Sequence, residues 1–282
     1  MKQIQSIEAI LDYIAKIRSQ KNGFITNFYL NTLKHGIWIK HSDLFVELIG
    51  DTAFFIKKND KNFWHIFYCT TTLDELEYSL RLLKDLYPDQ KMIIDVVGSY
   101  DTCDAINKLA EPIGYSNSCQ LVRMSRLAPE YIGKVNNTLP IHFASDRETE
   151  EVHKLLHAYF SEEEEQIPYL DELLIYAHEK HIAVYSDHEK VVGFVIYEMN
   201  KLTLYLRYWF VHPNYRNKHV GSNLLNCFFY EGRNTRRQTL WVITTNENAM
   251  RKYLHYGFKE EPICCFVLNN GMKETLPHVN AF

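Results

Sequence analysis

Glycine is scarce in this chain, 11 residues among 282, which leaves little material for glycine-rich loops around a cofactor. Long apolar runs are missing as well, and no stretch approaches the roughly 18 residues of a membrane span. Residues Met1 to Arg18 set Ile4, Ile7, Ile10, Leu11, Ile14 and Ile17 around Glu8, Asp12 and Lys16. That is helical spacing with acids inside it, unlike the uninterrupted apolar core of a signal peptide. The cysteines Cys69, Cys103, Cys119, Cys227, Cys264 and Cys265 show no C-x-x-C spacing, so neither a zinc ribbon nor a disulfide framework is suggested. An excess of positive charge is absent too: 31 Lys and Arg stand against 35 Asp and Glu, a net charge of -4. This balance argues against a protein whose main work is gripping nucleic acid or an anionic membrane. No G-x-G-x-x-G turn, Walker lysine loop or G-x-S-x-G elbow occurs, so hydride transfer, NTP hydrolysis and serine hydrolysis lack support. A reduced, cytoplasmic protein without a metal, a nucleic acid or a membrane as partner is expected, as a monomer or homodimer.

What is present is ordinary globular material, 46% hydrophobic and 23% charged, with length for about two domains at ~150 residues each. The second half reads most clearly. A short strand over Leu139–Ala144 leads to a helix capped by Asp146 and running through Phe160. Ser161 with Glu164 fits a capping box for a further helix to about Glu179, despite Pro168. Strands are expected at His181–Ser186, Val191–Met199 and Leu202–Val211, joined by connections of hairpin length. A helix over Val220–Glu231, a strand over Thr239–Thr245, a helix over Asn248–Tyr256 and a strand over Ile263–Leu268 complete the order.

The first half echoes the later part of this order. Strands at Phe45–Ile49, Ala53–Lys57 and Phe63–Cys69 precede a helix at Leu73–Leu86, a strand at Met92–Val97, a helix at Cys103–Ala110 and a strand at Cys119–Met124. Gly114–Tyr115 parallels Gly257–Phe258. Both a weak internal duplication and a chance recurrence of a common β-α-β-α-β order fit this pattern; the duplication predicts domains at 1–130 and 138–282.

Two segments carry chemistry. In the first, Val211-His-Pro213-Asn-Tyr215-Arg216-Asn217-Lys218-His219-Val220-Gly221-Ser222, a strand ends in a turn and a helix begins. A helix start presents unpaired N–H groups and the positive end of the dipole, a cradle for a diphosphate to which Arg216 and Lys218 add charge. An ordinary turn with a polar cap would read the same way. In the second, Asn246 follows a strand, Ala249 and Tyr253 follow at helical spacing, and Gly257-Phe258 stops the helix and restarts a strand. Taken alone, a mid-helix tyrosine is ordinarily core or surface.

In this order and on this pattern, the two segments resemble the GNAT (N-acetyltransferase) superfamily over about Leu139 to Leu268. The nucleotide motif R/Q-x-x-G-x-G/A reads Arg216-Asn-Lys-His219-Val-Gly221, with His219 in place of the first glycine. The later motif N-x-x-A-x-x-x-Y-x-x-x-G-F is met at Asn246, Ala249, Tyr253, Gly257 and Phe258. The resemblance implies an α/β fold of tandem GNAT-like domains. Each would be a mixed, mostly antiparallel sheet with helices on both faces, and the C-terminal one would hold a splayed parallel strand pair. It implies an acyl-CoA-dependent transfer, most simply of acetyl from acetyl-CoA to a small-molecule or peptide amine. Backbone N–H groups of Phe210 and Val211 would face the thioester. Arg216, Asn217, Lys218, His219, Val220, Gly221 and Ser222 would hold the pyrophosphate. Asn246 would touch the pantetheine arm, and Tyr253 would protonate the departing sulfur. A non-catalytic acyl-CoA-binding or interaction protein is the rival reading, and His219 is its main support.

The amine's base is not legible. Glu198 and Tyr208 are base or substrate-contact candidates, with Tyr205 and His212 beside them. The Glu162–Glu165 run could attract a cationic amine, or could simply suit a helix start. His153 and His157 share a helix face but lack the zincin glutamate, and Arg233, Arg236 and Arg237 form either a solvated turn or a contact for the CoA 3′-phosphate. In the first half, Cys103 and Ala110 stand where the asparagine and tyrosine would be, so that half is expected to be silent.

Overall fold

The computed structural model describes residues 1–128 and 139–271, and the expected domain junction at 130–138 lies outside the described residues. The chain forms two compact units, one from Met1–Gln120 with the strand that follows Ile263, the other from Leu121–Pro262. The divisions therefore fall inside two strands, where the sequence offers no change of composition to mark them.

The first unit contains β1 (Lys2–Gln3), α1 (Ile7–Arg18), β2 (Ile25–Thr26), α2 (Thr32–Lys40), β3 (Leu44–Ile49), β4 (Thr52–Lys58), β5 (Phe63–Thr70), α3 (Leu73–Leu86), β6 (Lys91–Gly98), α4 (Tyr100–Ala110) and the start of β7 (Ser116–Leu127). Its sheet runs β1-β3-β4-β5-β6, with β2 added beside β5, and the end of β13 (Lys259–Asn269) pairs antiparallel with β6. Phe54, Ile56, Ile66, Met92 and Ile94 pack with Leu76, Leu80 and Leu83 of α3 and Ile106 of α4. Phe55 and Phe67 instead meet Phe28. Helices on both faces explain why β4 and β5 read as nearly continuous apolar runs.

Strands β5 and β6 are parallel, paired from Phe63/Lys91 to His65/Ile93, beyond which the ladder ends. This is a splayed pair that the sequence had led us to expect only in the other half. Its gap is filled from within. The Asn27 amide donates to the Ile66 carbonyl at 3.3 Å and the Asp95 carbonyl at 3.0 Å, so one side chain bridges both strands. At the start of α3, Thr72 accepts from the Glu75 N–H, and Asp74 and Glu75 occupy the first turn.

The second unit contains the rest of β7, β8 (His142–Phe143), α5 (Asp146–Tyr159), α6 (Leu170–His178), β9 (Ile182–Asp187), β10 (Lys190–Asn200), β11 (Thr203–Val211), α7 (Val220–Glu231), β12 (Arg237–Ile243) and α8 (Glu247–His255), ending at the start of β13. Its strand order is β7-β12-β11-β10-β9-β8, antiparallel except for β11 with β12. Leu224, Leu225 and Phe228 of α7, with Tyr253 of α8, pack on Leu204, Leu206, Trp209 and Val211. Phe160, from the end of α5, packs on Tyr208 and Phe210. The mixed, mostly antiparallel sheet with a splayed parallel pair is as expected.

Two local expectations are corrected. The α5 cap is Ser145 rather than Asp146, in a capping box with Glu148. No helix opens at Ser161, although the Glu164 and Glu165 N–H groups both reach the Ser161 carbonyl. Pro168 can supply no N–H to carry a helix forward, and α6 begins only after it.

Candidate active site

Strands β11 and β12 pair from Thr203/Arg237 to Leu206/Leu240 and then part. β11 continues against β10 as far as Val211, and β12 continues against β7 as far as Ile243. The register of β10 with β11 slips between Ile196/Tyr208 and Tyr197/Leu206, leaving Arg207 as a bulged residue. An extra residue resets the alternation of faces. Hence Leu204, Leu206, Trp209 and Val211 share the α7–α8 face, which an unbroken strand would not allow.

The bulge also aims the backbone. His212 N–H donates to the Val192 carbonyl at 2.8 Å. Hydrogen-bonded and non-bonded pairs alternate along an antiparallel ladder, so Phe210, opposite Phe194, turns its N–H to β10. The N–H groups of Trp209 and Val211 turn the other way, into the gap. Of the two N–H groups that the sequence pointed to, that of Val211 turns into the gap and that of Phe210 turns to β10, while the Trp209 N–H shares the direction of Val211.

Directly after β11, a 3-10 turn over Pro213–Tyr215 leads to α7. His219 is the N-cap, with φ 61° and ψ 6°, in the left-handed conformation that a glycine would adopt there. Its side chain makes no cap bond, and the first helical bond runs from Asn223 N–H to the His219 carbonyl. The opening N–H groups, Val220, Gly221 and Ser222, thus face outward without acids in the first turn. A Cβ on Gly221 would come within 2.9 Å of Trp209 and 3.3 Å of Val211. This glycine is required for the approach of α7 to β11. Asn217 is also left-handed, at φ 63°. Lys218 lies 4.6 Å from the Tyr215 ring centroid, and Tyr215 donates to Asp187 at 2.7 Å.

One cation was not foreseen. Lys252 of α8 is exposed, and desolvation, then the charge of Arg216, lowers its pKa. Its Nζ lies 5.3 Å from the Trp209 ring centroid, and that ring packs against Gly221 in the first turn of α7, so the cation stands near a helix start, where an anion is favoured.

On α8, Asn246 is the N-cap, its side-chain oxygen accepting from the Ala249 N–H at 3.1 Å. The carboxamide NH2 has no partner among the described residues and so retains two donors. Tyr253 is buried, 5.7 Å from the Trp209 ring centroid and 5.8 Å from that of Phe258, and its hydroxyl bonds to no described residue. Burial, with the charge of Glu165 next, raises its pKa far above that of a free phenol, so it remains a proton donor at any physiological pH.

The structure commits both base candidates to other partners. Glu198 pairs with Arg207 at 3.0 Å, and Arg207 also reaches Glu172 at 2.6 Å and the Tyr176 hydroxyl at 2.8 Å. Tyr208 donates to the Gln166 carbonyl at 3.1 Å, and burial raises its pKa steeply. Around His157, Glu162 bonds at 2.6 Å and His153 at 3.1 Å, and no group of three metal-ligating side chains exists among the described residues. The arginine loop lies at the start of β12, the end away from the gap. Arg233 stacks 3.9 Å from the Tyr230 ring centroid, and Arg237 pairs with Glu261. No described helix is long and apolar enough to cross a membrane.

Comparison with known proteins agrees with this geometry. Residues 149–258 match the model of the acetyltransferase (GNAT) family. The fold resembles a tandem GNAT protein from the clavulanic acid biosynthesis pathway, solved without AcCoA, with TM-score 0.58 and 11% identity over 95% of this chain and 96% of that one. A GCN5-related N-acetyltransferase from Kribbella flavida gives 0.58 and 9% over 86% and 95%. An acetyltransferase from the GNAT family from Colwellia psychrerythraea gives 0.53 and 12% over 95% and 97%. At such identities the likeness is one of fold, and no curated protein matches the sequence. The C-terminal half of the chain, over residues 149–258, carries a domain of the GNAT acetyltransferase family.

Proposed function

We propose that the second unit transfers an acyl group, most simply acetyl, from acyl-CoA to a primary amine by direct attack in a ternary complex. The observation that carries this reading is the opening of β11 from β12 beyond Leu206, with two backbone N–H groups turned into it. Donors fixed where charge develops stabilise an oxyanion without having to reorganise, which is worth most in a site closed to water. The outward N–H groups at the start of α7, with Arg216 and Lys252, suit the pyrophosphate. The Asn246 amide suits the pantetheine, and the Tyr253 hydroxyl suits the leaving sulfur.

Attack by the amine nitrogen forms the C–N bond and breaks the C–S bond; Tyr253 gives its proton to the departing sulfur, and the proton that the nitrogen sheds restores the Tyr253 hydroxyl. A thiol reagent that reports free CoA, applied with a panel of amines, amino acids and peptides, tests the proposal. Amine-dependent CoA release is expected. Binding of acetyl-CoA with no release on any acceptor favours the binding-protein reading, and absence of binding removes both.

A further inference from the structure

His153 and His157, about one turn apart on α5, have no part in the acyl transfer. Their ring centroids are 4.5 Å apart with planes at 78°, and the two Nε2 atoms are 3.1 Å from each other. On the far side of its ring, His157 Nδ1 is 2.6 Å from a carboxylate oxygen of Glu162. A carboxylate accepts, so Nδ1 carries the hydrogen, and a neutral His157 then has its lone pair at Nε2. That is the tautomer in which a histidine ligates a metal, with a carboxylate behind it to hold the ring. The His157 side chain is 41% exposed and that of Glu162 only 13%, so the orienting group is sheltered while the ring stays within reach of solvent.

The spacing of the two nitrogens suits a metal as well as it suits a hydrogen bond. Zinc stands ~2.0–2.1 Å from an imidazole nitrogen, and two such bonds to atoms 3.1 Å apart enclose an angle of about 100°. This lies between the right angle of a square or octahedral site and the tetrahedral angle, so neither ring has far to move. His153 supplies the second lone pair by keeping its ring hydrogen on Nδ1. Desolvation, then the charge of His157, lowers the His153 pKa, which keeps that ring neutral and able to ligate.

We propose that His153 and His157 chelate a divalent first-row transition metal, with Glu162 holding the His157 ring from behind. No third protein ligand joins them among the described residues, so water completes the coordination. A pair of imidazoles favours zinc, nickel or copper over magnesium and calcium, which take oxygen ligands. The ion would brace the end of α5, where the next residues, Tyr159 and Phe160, pack on Phe210 and Tyr208 of β11. This site goes beyond the acyl-transfer reading and does not depend on it.

The test is calorimetric titration of the full chain, freed of metal with a chelator, using zinc, nickel and magnesium chlorides in turn. Zinc and nickel are expected to bind at one site that His153→Ala or His157→Ala each abolishes, and magnesium is expected not to bind. Glu162→Gln should weaken zinc binding by about tenfold or more, the usual effect of losing a group that orients a ligand. Zinc should also raise the melting temperature of the parent and of neither alanine variant. Absence of binding up to about 1 mM zinc or nickel overturns the proposal. Binding that both alanine variants retain overturns it too, since the ion then sits at other histidines. An affinity for zinc within about twofold of the parent's in Glu162→Gln removes the role given to Glu162. Failure of amine-dependent CoA release leaves these outcomes as they are, so the two readings are decided separately.

Discussion

Asn27 accepts a hydrogen bond from the Tyr68 N–H at 2.6 Å, while its own N–H donates to the Tyr68 carbonyl at 3.3 Å. With its two amide bonds to Ile66 and Asp95, this residue occupies the opening of β5 from β6 as an internal ligand. In the second unit the corresponding opening is the one proposed above to take acyl-CoA. The contrast extends to the helices that follow, since α3 is capped by Thr72 and opened by two acids, whereas α7 has neither.

Acetyl-CoA should therefore saturate at one molecule per chain in a calorimetric titration; two sites of similar affinity would contradict the occupied gap. Asn27→Ala removes the bridge and leaves the Tyr68 N–H and two carbonyls unpaired in a buried place. A loss of about 2–3 kcal/mol in denaturant unfolding is expected, given about 1–3 kcal/mol for a single unsatisfied buried group.

Tyr253→Phe keeps the packing against Trp209 and Phe258 but removes the proton donor. Turnover should fall by about 10²-fold or more, and acetyl-CoA affinity should hardly move. Steady-state rates beside calorimetry decide the matter, and unchanged turnover removes Tyr253 from the chemistry.

Lys252 has its pKa lowered by desolvation and by Arg216, so an anion bound beside it restores its proton affinity. The sign is uptake: protons are drawn in as acetyl-CoA binds, increasingly so toward alkaline pH. Calorimetry in two buffers of different ionisation enthalpy reads this directly. Lys252→Met should abolish the uptake and weaken binding by about tenfold, or ~1.4 kcal/mol.

At His219, a left-handed conformation costs an L-residue about 1–2 kcal/mol that glycine avoids. His219→Gly should raise unfolding stability by about 1 kcal/mol and leave acetyl-CoA affinity unchanged or tighter. A weaker complex would show that the imidazole itself contributes to binding.

Local signals were the legible ones. The bounds of α3 and α7 are those the sequence predicts, because apolar spacing and helix ends coincide there. The motif residues His219, Gly221, Asn246 and Tyr253 also lie where their spacing puts them. Signals that depend on distant partners were silent. Nothing near Asn27 marks it as the bridge of a gap whose strands lie 39 and 68 residues away in sequence. The run Leu204-Tyr-Leu206-Arg207-Tyr208-Trp209 does carry the bulge, since its apolar alternation changes phase at Arg207, and with that shift Trp209 would have replaced Phe210 as the expected donor. Between Ser161 and Leu170, the capping residues argued for a helix and Pro168 against it, and the missing N–H decided the outcome.

The allotment of β7 and β13 bears on the order of synthesis. Val96 and Ile94 of β6 meet their partners, Phe266 and Leu268, only after more than a hundred and fifty intervening residues have been made. Until then the emerging first unit presents an open sheet edge to whatever surrounds it, a state prone to wrong pairing. An excised 138–282 fragment would meet the converse difficulty, because β12 would lack Leu121–Leu127 as its neighbour. The two units are thus consecutive in sequence but must be finished together.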